Sequence, residues 1–90
     1  MAYRIEFTHR ALKQFKSLTR EIQIRLRPQI ESLAKDPRPS GVKKLSASGN
    51  LYRIREGDYR VIYQVQDKVL LILVLKIGHR RDIYRTPPEY

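Results

Sequence analysis

Between Leu51 and Tyr84 the chain reads LYRIREGDYRVIYQVQDKVLLILVLKIGHRRDIY, and this run restricts the fold more than any other stretch. Apolar and polar residues alternate on both sides of Gly57-Asp58. Alternation puts successive side chains on opposite faces of a strand, and a glycine-led pair between two such runs is a hairpin turn. A two-residue turn sets Glu56 opposite Tyr59, Arg55 opposite Arg60, Arg53 opposite Ile62 and Tyr52 opposite Tyr63. Tyr52, Ile54, Tyr59, Val61, Tyr63 and Val65 then share a core face, and Arg53, Arg55, Arg60, Ile62 and Gln64 share the other. Asp67-Lys68 marks a second turn. Val69 to Ile77 is apolar except for Lys76, as in a strand covered on both faces. That strand belongs inside the sheet, between its hairpin partner and the N-terminal strand, with Leu71, Leu73 and Leu75 on the arginine side. The register near Lys76 stays open, and the pattern accommodates a bulge there. Gly78 ends the strand and leaves His79-Arg80-Arg81-Asp82-Ile83-Tyr84-Arg85 at its C-terminal end.

The preceding half supplies the cover. Tyr3, Ile5 and Phe7 alternate with Arg4 and Glu6, which predicts a short strand over Ala2 to Phe7. Thr8 and Thr19 each stand where a hydroxyl can cap a helix. Ala11, Leu12, Phe15 and Leu18 form one apolar stripe; Ile22, Leu26, Ile30 and Leu33 form another. Pro28 interrupts the second stripe without shifting its phase, which predicts one kinked helix ending at Asp36-Pro37. Residues 37–50 are rich in turn formers and read as a loop, anchored by Leu45. Pro87 and Pro88 close the ordered chain. The expected fold is α+β in a single domain over residues 1–90: an N-terminal strand, an antiparallel helical hairpin over about 8–36, then an antiparallel β-meander with a basic C-terminal end over 51–85.

Nineteen basic against nine acidic residues give a net charge of +10 in 90 residues, which implies a polyanionic partner. The chain has no cysteine, so disulfides and thiolate metal sites are excluded. Val69 to Leu75 is too short to span a bilayer, so no membrane role is expected. Arg4 and Glu6 break the first apolar positions, which argues against a signal peptide and for the cytoplasm.

The candidate functional residues gather at one place: Arg53, Arg55, Arg60, His79, Arg80, Arg81, Tyr84 and Arg85. Arg55 and Arg60 facing each other is unfavourable, and an anion held between them would relieve it. No Gly-rich phosphate loop and no carboxylate cluster for Mg²⁺ is present, so neither a cofactor nor a metal is expected. Near this patch His79 alone titrates close to neutral pH. Arginine, histidine and tyrosine around an anion suit phosphodiester chemistry on RNA, where the 2′-OH is the nucleophile. Arginines stabilise the phosphorane charge, and a histidine or tyrosine moves protons. A tyrosine ring can also stack on a base. A basic nucleic-acid-binding module without catalysis is the plainer alternative.

Tyr52-Arg53-Ile54-Arg55, Asp58-Tyr59-Arg60-Val61-Ile62-Tyr63 and Ile77-Gly78-His79-Arg80-Arg81-Asp82-Ile83-Tyr84, with Tyr3-Arg4-Ile5-Glu6-Phe7 and Ala11-Leu12 before them, resemble the RelE/ParE superfamily of toxins from prokaryotic toxin–antitoxin systems. The resemblance implies the fold just read and a metal-independent endoribonuclease that cleaves mRNA in the ribosomal A site, against rRNA. It implies a RelB-like antitoxin as partner, with operator DNA met only through the antitoxin complex. By position, Arg60, His79, Arg80 and Tyr84 are the implied catalytic residues, and Arg53, Arg55, Arg81 and Arg85 the RNA-binding ones. Some members carry lysines where this chain has Arg53 and Arg55; arginine does not give up its proton, so His79 becomes the acid–base candidate. A ParE-like toxin that inhibits DNA gyrase without nuclease chemistry is the alternative within the superfamily.

Overall fold

A computed structural model describes residues 2–45 and 49–83. Strand β1 (Arg4–Phe7) leads into helices α1 (His9–Ser17) and α2 (Arg20–Ser32). Then follow β2 (Lys43–Lys44), β3 (Leu51–Glu56), β4 (Tyr59–Gln66) and β5 (Leu71–His79). The sheet order is β1-β5-β4-β3-β2. β5 lies inside it, antiparallel to β4 and parallel to β1, as its two-sided apolarity requires. The β3–β4 register is the one the Gly57-Asp58 turn dictates, from Glu56↔Tyr59 to Tyr52↔Tyr63. Gly57 has φ +58°, a conformation that costs glycine nothing.

Both caps form. The Thr8 hydroxyl accepts from the Ala11 N–H at 3.1 Å and the Thr19 hydroxyl from the Ile22 N–H at 3.4 Å. α2 runs through Pro28 without breaking. It ends at Ser32, a turn before Asp36-Pro37, because the amides of Leu33 to Asp36 already bond in a tightened turn. Three further differences concern ends and turns. The loop over 37–50 contains a strand, β2. The second turn is a 3₁₀ turn over Asp67–Val69, closed by Leu70 at φ 52°, so β5 begins at Leu71. β5 also continues past Gly78 to His79.

The apolar stripes of both helices close over one face of the sheet. Ala11, Phe15, Leu26, Ile30 and Leu33 pack with Tyr52, Ile54, Val61, Tyr63, Val65, Ile72, Val74 and Ile77. The opposite, helix-free face has its own small core of Leu51, Ile62, Leu75 and Ile83, edged by Leu45 and Leu73. One irregularity shifts the phase between these faces. Ile62 pairs with Lys76 but Tyr63 pairs with Val74, so Leu75 is the extra residue of a β-bulge. Leu75 and Lys76 therefore both turn to the helix-free face, and Ile77 goes to the main core.

The end of the sheet remote from the Gly57-Asp58 turn is tied down by polar bonds. Asp67 accepts from the Tyr3 hydroxyl at 2.6 Å and from Arg38 Nη2 at 2.8 Å. Arg38 Nε donates to the Tyr52 hydroxyl at 2.8 Å, and the Tyr63 hydroxyl donates to the Pro37 carbonyl at 2.7 Å. The Arg38 hydrogen bond holds the Asp67 carboxyl below the usual range, while burial pushes the Tyr63 hydroxyl up. This corner is structural and leaves the other end of the sheet to carry the basic residues.

Candidate nucleic-acid interface

Arg53, Arg55 and Arg60 stand together on the helix-free face, as the alternation requires. Residues directly opposite in a sheet share a side. The row Arg55–Arg60–Gly78 crosses β3, β4 and β5, and the row Lys43–Arg53–Ile62–Lys76 crosses β2 to β5. Leu51, Ile62, Leu75 and Ile83 form the apolar floor between these charges. Arg55 is exposed and Arg53 half-buried.

Arg60 is different: it is only 8% exposed. Its Nη1 donates to the Gly57 carbonyl at 2.9 Å and the Tyr59 carbonyl at 3.1 Å. The repulsion between Arg55 and Arg60 is thus eased within the protein itself, by turning one guanidinium onto the carbonyls of the hairpin turn. Arg60 consequently shapes the loop that carries Asp58.

At the end of β5 the chain folds back around the sheet. His79 lies opposite Tyr59, and its ring meets the Tyr59 ring edge-on at 5.6 Å between centroids. His79 therefore starts from the helix-covered side, not from the side of Arg53, Arg55 and Arg60. Its Nδ1 accepts from the Arg81 N–H at 3.1 Å, and its Nε2 lies 3.9 Å from Asp58 Oδ2. With Nδ1 accepting, the neutral ring carries its proton on Nε2. The Arg80 N–H donates to the Asp58 carbonyl at 2.7 Å, and Arg80 Nε lies 3.4 Å from Asp58 Oδ1. The side chains of Arg80 and Arg81 are exposed. The turn then brings Ile83 onto the helix-free face.

The structure thus gathers Arg53, Arg55 and Arg60 on one face and places Arg80 and Arg81 at its rim. His79 stands across the rim. Tyr84 and Arg85 lie outside the described residues. Sequence reasoning missed Lys43, which β2 sets opposite Arg53, Lys76, and Asp58 as the acidic residue beside His79 and Arg80. The Lys43-Lys44 pair in a loop of turn formers was the available signal for the first. A lysine inside an apolar strand was the signal for the second.

This geometry can grip a polyanion laid across the face and present guanidinium groups to one phosphate at its end. Comparison with known proteins agrees with it. The family model of the ParE toxin of the type II toxin-antitoxin system parDE matches residues 5–84. The mRNA interferase toxin RelE of Escherichia coli K12 is 32% identical over 82 residues, covering 89% of this chain and 85% of its own. A chain of the archaeal RelE-RelB complex from Pyrococcus horikoshii OT3 superposes with a TM-score of 0.80 at 35% identity, over 96% of this chain and 100% of that one. A chain of the intact E. coli RelBE toxin-antitoxin complex does so with a TM-score of 0.78 at 29% identity, over 87% and 96%. With a family match over nearly the whole length and a relative of such identity and coverage, the chain belongs to the RelE/ParE superfamily of toxins from type II toxin–antitoxin systems.

Proposed function

We propose that the chain is a RelE-type toxin that cleaves mRNA on the ribosome by attack of a 2′-OH on the adjacent phosphate. The observation that carries this reading is the exposed Arg80 at the rim of an arginine-lined face, with His79 and Asp58 beside it. The similarity to an mRNA interferase favours it over gyrase inhibition.

Arg53, Arg55 and Lys43 hold the RNA backbone across the face. Arg80, with Arg81, takes the scissile phosphate and the charge that develops on it. Arg60 adds its field from below and fixes the turn. In its protonated form, with the Arg81 N–H released from Nδ1, His79 gives its Nε2 proton to the leaving 5′-oxygen as the P–O5′ bond breaks; the proton of the attacking 2′-OH passes to water, and Asp58 balances the charged ring. Because His79 reaches the substrate only around the rim, the scissile phosphate sits at the Arg80 end of the face and not at its centre. Tyr84 and Arg85 follow in the chain as a stacking or orienting ring and a further backbone contact.

The partner is a RelB-like antitoxin, as in the solved complexes that this fold matches. An acidic segment laid over the basic face would neutralise both charge and site, and would carry the toxin to operator DNA. The working compartment is the cytoplasm, where ribosomes translate.

The test is primer extension on mRNA from cells expressing the protein, beside translating extracts given the purified protein. New 5′ ends inside translated codons, absent without translation, are the expected result. Arrest of growth with intact mRNA would transfer the reading to gyrase. Salt-sensitive RNA binding without any new end would leave a binding module.

A further inference from the structure

Lys76 is a buried titratable side chain that the proposed reaction does not use. It is 4% exposed and faces the helix-free side because of the bulge. Burying an ammonium is costly unless it is hydrogen-bonded. Its Nζ donates to the Ile83 carbonyl at 2.8 Å. Ile83 is itself fully buried, packed on Leu51, Ile62 and Leu75. Ile83 Cδ1 lies against Gly78, 3.4 Å from where a Cβ would stand.

The turn between β5 and Ile83 is held at both ends. At its start, the Arg80 N–H bonds the Asp58 carbonyl and the Arg81 N–H bonds His79 Nδ1. The N–H groups of Asp82 and Ile83 both donate to the His79 carbonyl, at 2.8 and 2.9 Å. At its finish, Lys76 and Ile83 fasten the chain to the floor. Between these anchors stand the exposed guanidinium groups of Arg80 and Arg81.

We propose that Lys76 and Ile83 are positioning residues, a clasp that fixes the turn carrying Arg80 and Arg81 and so sets where those arginines meet the RNA phosphate. Lys76 acts through the Ile83 carbonyl and does not touch substrate. The activity part of this inference rests on the RNA-cleaving reading above; the structural part does not.

The test is amide hydrogen exchange together with cleavage kinetics on mRNA-programmed ribosomes, for Lys76→Met, Ile83→Ala and the double variant. Lys76→Met is expected to speed exchange at Arg81, Asp82 and Ile83 by about tenfold, with the β3–β4 hairpin unchanged. kcat should fall by up to about 10²-fold with little change in KM, because the phosphate-binding charges remain but their placement loosens. Two residues acting on one turn should be non-additive, so the double variant should fall no further than the worse single. Unchanged exchange in the turn, or equal acceleration throughout the sheet, would overturn the clasp. So would a KM-only effect. If the exchange responds as stated while the wild-type protein cuts no RNA, the clasp stands and the cleavage reading fails.

Discussion

Arg80→Ala lowers the cleavage rate on programmed ribosomes by about 10²–10³-fold, the usual cost of removing one donor aimed at transition-state charge. Folding should be nearly untouched, within about 0.5 kcal/mol, as for other exposed substitutions. The side chain is 56% exposed, and its ion pair with Asp58 at 3.4 Å is an exposed one; such pairs contribute little. The Arg80 main-chain bond to Asp58 survives the change. Arg20→Ala, an equal loss of charge on α2 away from the face, should leave the rate as it is. Cleavage by Arg80→Ala at the wild-type rate would move the chemistry off this rim.

Arg60→Ala has a different profile. Its two bonds to the Gly57 and Tyr59 carbonyls of the hairpin turn are lost. Losing these charge-assisted bonds and the packing of the buried stem costs about 2–4 kcal/mol. That is a large part of what holds a domain of this size together. Urea unfolding should show the loss as a lower midpoint. Cleavage should fall as well, since the turn places Asp58, and Asp58 holds Arg80. A midpoint shift corresponding to less than about 0.5 kcal/mol would show that the inward bonds stabilise nothing, and would return Arg60 to direct phosphate binding.

The sheet was legible because its determinants are local. Gly57-Asp58 fixes the register of β3 on β4, and every pair follows from it. The two threonine caps and the apolar stripes were equally plain. The side on which His79 lies was not legible. Strict alternation from Leu71 carries Leu73, Leu75, Ile77 and His79 to the arginine side. The bulge at Leu75 inserts one residue, and a one-residue slip exchanges the faces. Lys76 marks where this happens, but a lysine in an apolar run does not say which neighbour is the extra one. The burial of Arg60 was hidden for a related reason. Alternation gives a side chain its face, while the carbonyls that bend it back belong to a turn whose shape only the folded backbone supplies. β2 was lost among turn formers because two residues carry no period.

In the proposed reaction this face supplies cations and a proton, and the substrate supplies the nucleophile. The most direct measurement is cleavage of two mRNAs held in otherwise identical programmed ribosomes, one natural and one with a 2′-O-methyl group on the nucleotide 5′ to the scissile phosphate. The natural message should be cut, leaving a 2′,3′-cyclic phosphate, and the methylated one should stay whole. Equal cutting of both would mean that water or a protein group attacks, and would contradict the account.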